Sequence, residues 1–244
     1  MKIINENKKS IIEKTMKIII VVLVVFTNHI KAQPGSLDLS FNGNGKYISG
    51  FNGTSRAVAL QSDGKIILGG SSFITSSFGL ACLRINVNGT IDNTFGTSGL
   101  TTIDISPNLD IINSVAVQAD DKIVMAGYSN NGTNEDVVVV RLNSDGSIDN
   151  SFGTNGIVTT TVSTFDERAK SIAIQLDGKI VVGGYAYAGI SVDFMLIRYN
   201  TDGTLDNTFG SNGLVLTDIG SLDYDEIKTI DLQSDGKIVV GGVH

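Results

Sequence analysis

Gln175-Leu176-Asp177-Gly178-Lys179-Ile180-Val181-Val182-Gly183-Gly184 is the stretch from which the fold can be read. A β-branched run is entered through Asp-Gly, the pair that suits a tight hairpin because glycine supplies a positive φ without steric cost. The phrase also occurs as Gln61-Ser62-Asp63-Gly64-Lys65, Gln118-Ala119-Asp120-Asp121-Lys122 and Gln233-Ser234-Asp235-Gly236-Lys237, so the copies are spaced by 57, 57 and 58 residues. Asp121 replaces the glycine in one copy, and aspartate tolerates the left-handed region at some cost. A second marker, Ile91-Asp92-Asn93-Thr94-Phe95-Gly96, returns at Ile148–Gly153 and Leu205–Gly210, with a shorter form in Leu37-Asp38 and Phe41. A third is Arg84, Arg141 and Arg198. Three markers in one register define an internal repeat.

Each repeat divides into four short strands bounded by turn residues. In the third copy they are expected at 156–163, 168–175, 179–186 and 193–200, all rich in Val, Ile, Leu and Tyr. No segment holds a 3.6-residue apolar period for the 10–12 residues a helix needs. Four antiparallel strands per repeat match the blade of a β-propeller, and this all-β propeller is preferred to a solenoid of hairpins, whose coils are shorter. The repeats run over residues 34–89, 90–146, 147–203 and an incomplete 204–244. In the recurring turn, Asp149 is expected to accept backbone N–H groups, and Phe152 to plug the space between neighbouring repeats.

Asp-Gly-Lys-Ile-Val-Val-Gly-Gly, then an Arg-Tyr or Arg-Leu strand, then Asp-Gly-x-Leu/Ile-Asp-x-x-Phe-Gly, resembles the delta-60 repeat family of bacterial β-propellers. The resemblance covers residues 34–244. It implies a propeller fold and export, often with a C-terminal sorting domain for type IX secretion. It lends no catalytic residue.

Ile18–Phe26, preceded by Lys17, is too short to span a bilayer but fits the core of an export signal. Residues 1–32 are therefore expected to be a signal peptide cleaved after Ala32, with Met16 an alternative start. No transmembrane span is expected in residues 33–244, and the protein is expected to be secreted or held on a bacterial surface. Those residues carry 12 basic and 23 acidic side chains, a net charge of −11. Such a body repels phosphate backbones, so nucleic acid is not an expected partner. Cys82 is the one cysteine, lies in an apolar run and is expected to be a buried small hydrophobe. The fourth repeat stops near the end of its third strand, so the chain reads as a fragment of a longer protein. A four-bladed ring with one incomplete blade is the second reading. Closure by the N-terminal segment looks blocked, because Gln33–Asp38 reads as lying past the strand-four position.

Little points to catalysis. His244 is the one histidine outside the leader, which removes Ser-His-Asp and Cys-His arrangements and histidine metal sites. Carboxylates alone can serve glycoside hydrolysis, and Asp166-Glu167 and Asp223, Asp225 and Glu226 are the richest clusters. No cofactor is expected, with calcium the one candidate, at Asp145 and Asp149 and at Asp202 and Asp206. These loops lack the final bidentate glutamate of an EF-hand, and a plain turn network is the preferred reading. The recurring arginines are expected to pair with turn aspartates and pack their stems.

The repeated motifs fall on one face of the expected blades. Loops that vary from copy to copy fall on the other: Ser71–Ser77, Ser129–Glu135, Tyr187–Ser191, Ser106–Asp110, Thr164–Glu167 and Ser221–Glu226. Variable loops on a rigid frame are where binding resides. Phe73, Phe165, Tyr187 and Tyr224 are the expected contact aromatics, with Asp166, Glu167, Asp225 and Glu226 beside them. The expected function is a non-catalytic scaffold recognising a protein or glycan outside the cell. The alternatives are a carboxylate-dependent polysaccharide-active enzyme and a purely structural surface component. The absence of Trp tells slightly against sugar stacking.

Overall fold

The computed structural model describes residues 35–74, 77–189, 191–220 and 224–244. The leader reading at 1–32 and the acidic Asp223 lie outside them. The chain forms two compact units that divide between Gly45 and Lys46.

In the first unit, residues 38–45 fold as a copy of the recurring turn. Phe41 N donates to Asp38 O at 3.0 Å and Gly45 N to Phe41 O at 2.7 Å. The equivalent bonds in the next copy are Phe95 N to Asp92 O at 3.1 Å and Gly99 N to Phe95 O at 2.8 Å. The abbreviated marker at Leu37-Asp38 and Phe41 is therefore a true repeat.

The second unit is all strand and turn among its described residues. Its strands are β1 (Gly53–Leu60), β2 (Ile66–Phe73), β3 (Phe78–Ile85), β4 (Leu100–Ile103), β5 (Asp110–Val117), β6 (Ile123–Asn130), β7 (Glu135–Leu142), β8 (Ile157–Thr160), β9 (Glu167–Ile174), β10 (Ile180–Ala188), β11 (Ser191–Tyr199), β12 (Leu214–Thr217), β13 (Glu226–Leu232) and β14 (Ile238–Val243). They form antiparallel sheets β1–β4, β5–β8 and β9–β12, and a two-stranded sheet β13–β14. Each sheet packs on the next through its first strand, so β5 lies on β1–β3, β9 on β5–β7 and β13 on β9–β11. These are stacked propeller blades.

One expectation changes. The strand after the Phe-Gly turn does not open its own blade. It hydrogen-bonds to the outer edge of the preceding sheet, as β8 does on β7 and β12 on β11. A short strand with one inward apolar face suits that rim position, whereas the first strand of each sheet must pack on two neighbours. Aligned on the turn residues Asp38 and Asp92, residues 46–49 correspond to Leu100–Ile103, so the N-terminal segment does not lie past the fourth-strand position.

The interior sheets are buried on both faces, which is why Val137-Val138-Val139-Val140 is continuous rather than alternating. Between the first two sheets pack Ile67, Ile112, Val115 and Met125, and between the second and third Val124, Ala169, Ile172 and Val182. Val181, Ile227 and Ile230 join the third to the fourth.

The Gly-Gly pairs serve two purposes. Each first strand bulges, with Arg56, Asn113, Lys170 or Lys228 as the extra residue. The second glycine lies against that bulge, and a Cβ on Gly70, Gly127, Gly184 or Gly242 would collide with the carbonyl of Thr54, Ile111, Arg168 or Glu226. The first glycine receives the next sheet: a Cβ on Gly69 would meet Val115 and one on Gly183 would meet Ile230. Ala126 shows that a methyl is tolerated at that first position.

Cys82 is fully buried, and loss of solvation raises its thiol to about 12. It behaves as the small hydrophobe expected.

Candidate functional site

The two ends of the strands differ in what they hold. At the turn end, one clamp is built three times. Arg84, Arg141 and Arg198 donate from Nε to Oδ2 of Asp92, Asp149 and Asp206 at 2.8, 2.7 and 2.7 Å. Lys65, Lys122 and Lys179 reach the same oxygens at 3.2, 3.0 and 2.9 Å. Each guanidinium covers the ring of Phe95, Phe152 or Phe209 at 4.4–4.7 Å from its centre. The clamp also latches sheets together: Arg84 Nη1 donates to Ser144 O, Arg141 Nη1 to Thr201 O, and Gly153 N to Asp202 O at 2.8 Å. Burial works against ionisation of Asp149. The bonds from Ser151 and Lys122 and the charge of Arg141 outweigh it and hold the carboxyl well below the usual range.

The carboxylates named as calcium candidates are engaged as follows. Asp149 and Asp206 spend Oδ2 on Arg and Lys and Oδ1 on Ser151 and Thr208. Asp145 and Asp202 accept from Ser147 and Thr204 within their own turns. Among the described residues no group of three or more His, Cys, Asp or Glu is placed to hold a metal ion. Asp121 departs from the Asp-Gly pattern for a visible reason. It takes a φ of 62° and bonds through its carboxylate to Ser62 of the neighbouring hairpin, whose backbone N–H is 2.8 Å away.

At the loop end, Phe165, Tyr187, Tyr185 and Tyr224 form a row of rings across the third and fourth sheets. Successive centres lie 6.2, 6.4 and 5.6 Å apart. Phe165 and Tyr224 are 52% and 46% exposed at its two ends, Tyr187 is half-buried, and Tyr185 is buried in the middle. Two cations flank the row. Arg168 pairs with Glu135 and lies 4.6 Å from the Tyr128 ring centre, and Lys170 lies 5.6 Å from that of Tyr185. Burial raises the Tyr185 hydroxyl, so the ring stays neutral.

The loops beneath are tied across sheets. Asn134 Nδ2 donates to Phe165 O at 2.7 Å and Glu135 N to Asp166 Oδ1 at 3.0 Å. Asp225 N donates to Val192 O at 2.8 Å, bringing Tyr224 into a bridge with Val192.

The structure therefore keeps Phe165, Tyr187 and Tyr224 together. Phe73 lies apart on the first sheet, in an edge-to-face pair with Phe78 at 5.5 Å. The acidic contact residues are corrected: Glu167, Asp225 and Glu226 are buried, and Asp166 is spent on the Glu135 backbone. Asp225 accepts from Ile219 N and meets His244 Nδ1 at 2.9 Å. Glu226 is held by Lys170 and Lys228 at 3.0 and 2.5 Å. Glu167 Oε1 accepts from Ser163, while its Oε2 and Asp136 Oδ1 are buried without a hydrogen-bond partner. Burial, and then the charge of Asp136, raise the Glu167 carboxyl. These acids support loops instead of facing each other across a cleft.

Tyr185, Arg168 and Lys170 escaped the sequence reading because they lie inside strands, not loops. Repeat alignment does carry a signal: Tyr128 and Tyr185 are one repeat apart, and charges at 168 and 170 interrupt an apolar first strand.

Three segments, residues 61–95, 118–152 and 175–209, match the family model described as "Domain of unknown function (DUF5122) beta-propeller". They support a β-propeller repeat family, and each runs from the Gln of one hairpin to the Phe of the following turn. No curated protein matches the chain. Among solved structures, a catalytically inactive virginiamycin B lyase from Staphylococcus aureus with quinupristin is similar at 13% identity and a TM-score of 0.45. That alignment covers 80% of this chain and 51% of the lyase chain, so the chain spans about half the length of that structure.

Proposed function

We propose that the chain is a non-catalytic binding scaffold whose loop face takes an extended glycan or polypeptide segment along the row Phe165, Tyr187, Tyr185 and Tyr224. The observation that carries this reading is the row itself: four rings in mutual contact, exposed at both ends and backed by strands of two sheets. An open row suits a chain that lies across it, since each ring offers a flat apolar face and the tyrosines add hydroxyls. Arg168 and Lys170 beside the rings would meet acidic groups on such a chain. Export to the cell surface, expected from the leader, would place this face where polymers occur.

Binding of the full chain to insoluble polysaccharides and to immobilised peptides tests the reading. Phe165→Ala and Tyr224→Ala are each expected to weaken a binding partner about tenfold, or about 1.4 kcal/mol, while thermal unfolding changes little. Binding that survives both substitutions would remove the row from the site.

A further inference from the structure

Asp110, Glu167 and Asp225 occupy one position of the repeat, each eight residues before its hairpin glutamine. Each carboxylate ties down the loop in front of it. Asp110 Oδ2 accepts from Ile105 N at 2.8 Å, Glu167 Oε1 from Ser163 N at 2.7 Å and Asp225 Oδ2 from Ile219 N at 2.7 Å. The copies part at the second oxygen. Asp110 Oδ1 accepts from the hydroxyl of Ser129, which faces it on β6, and Asp225 Oδ1 meets His244 Nδ1. Ala186 faces Glu167 on β10 and offers no donor, so Oε2 is buried without a hydrogen-bond partner. On the strands packed against β9, the ionisable groups toward this end are Asp110 of β5, Tyr128 of β6, Glu135 and Asp136 of β7, Tyr185 and Tyr187 of β10 and Glu226 of β13. The cations of β9 itself are taken, Arg168 by Glu135 and Lys170 by Glu226, and neither is left for Glu167. The loop that Glu167 holds carries Phe165. Ser163 Oγ donates to Glu167 Oε1 and accepts from Phe165 N at 3.0 Å, which makes one chain from the carboxyl to the exposed end of the ring row.

We propose that Glu167 is a proton-operated catch on the Phe165 end of the row, a regulation that rests on the binding role proposed above. With its proton on, the neutral carboxyl stays buried and residues 163–167 lie against the sheet. When the proton passes to bulk water, a charge with no counter-ion is left buried near Asp136. Moving outward to be hydrated relieves that charge, and Phe165 moves with Ser163. Burial raises the carboxyl and the charge of Asp136 adds to it, and together they outweigh the bonds from Ser163 that favour the ionised form. A raised carboxyl keeps its proton in weak acid and loses it as the pH rises from the unfolded value of about 4.3 through the folded one. The catch is therefore closed in weak acid and released toward neutral pH.

Backbone hydrogen exchange in residues 163–167 of the full chain tests this, corrected for the intrinsic rate and followed by mass spectrometry from about pH 4 to about pH 8 with a chelator present. Wild-type protection there is expected to fall several-fold as the pH rises, while the central strand β10 keeps its own. Glu167→Gln is expected to hold the acid-form protection at every pH. Ala186→Ser supplies the donor that Ser129 gives Asp110, and it is expected to restore protection at neutral pH with the acid still in place. Wild-type protection that does not vary with pH would overturn the proposal. So would a pH dependence that survives Glu167→Gln, or an Ala186→Ser variant no better protected than the wild type. Calcium that restores protection without the chelator would put a metal ion at Oε2 in place of the proton and would overturn it as well. Exchange is read without any ligand, so the catch is judged even if nothing binds along the row. Loss of binding in Phe165→Ala together with flat exchange would keep the row and remove the catch.

Discussion

The turn face and the loop face are built on the same strands yet differ in how completely their carboxylates are satisfied. On the turn face, each clamp aspartate has both oxygens occupied, and two of the arginines also reach a neighbouring sheet. On the loop face, Asp136 Oδ1 and Glu167 Oε2 are buried without a partner, and aromatic rings lie open at the surface. A fully paired carboxylate holds one geometry and repeats; a partly paired one leaves an oxygen whose energy depends on what lies above it. The turn face is thus the joint that stacks the sheets, and the loop face is free to vary.

The comparison breaks most readily at the strands common to both faces. Gly127→Ala would push a methyl into the Ile111 carbonyl at the bulge and is expected to cost about 4 kcal/mol or more, read by chemical denaturation. The same substitution at Gly69, where the neighbours are side chains and the equivalent residue is Ala126, should cost far less.

Next is the clamp. Asp149→Asn leaves Arg141 and Lys122 without their counter-ion in a buried setting and is expected to cost about 3 kcal/mol. The effect depends on pH with a defined sign. The folded-state pKa of Asp149 lies below the unfolded value of about 3.9, so its contribution is present above that pH and fades as the pH falls toward the folded value. The stability difference between wild type and variant should shrink in acid; a difference independent of pH would show that the clamp acts by packing alone.

The smallest effect is expected at Glu167, with the opposite sign. Its folded-state pKa is raised, so the folded protein favours the protonated carboxyl and loses stability as the pH rises from the unfolded value of about 4.3 through the folded one. Glu167→Gln removes that charge and provides a donor beside Asp136, and a gain of about 1 kcal/mol at neutral pH is expected. A loss instead would mean that the Glu167 carboxylate has a partner on this face.

Much of the turn face was legible in the residues because the clamp is local. Asp149 lies two residues before Ser151, three before Phe152 and eight after Arg141, so spacing alone brings them to one turn. The repeat then shows that the arrangement is stacked. The loop face was half legible. Phe165, Tyr187 and Tyr224 were marked by the loops assigned to them, but Tyr185 is a strand residue whose ring meets Tyr224 only because the fourth sheet packs on the third. Glu167, Asp225 and Glu226 look like surface acids by type, and burial between sheets is what makes them supports.

The residues alone determined the strand period, the hairpin turns, the length of the repeat and the pairing of each Arg with its turn Asp. All of these are set by φ preferences and contacts within a few residues or one hairpin. Tertiary structure decided which sheet each short strand joins, which glycine of each pair a side chain could replace, and which loop residues are surface and which are support. Those outcomes depend on what one sheet presents to the next, and strand period and turn chemistry do not encode the distance between sheets.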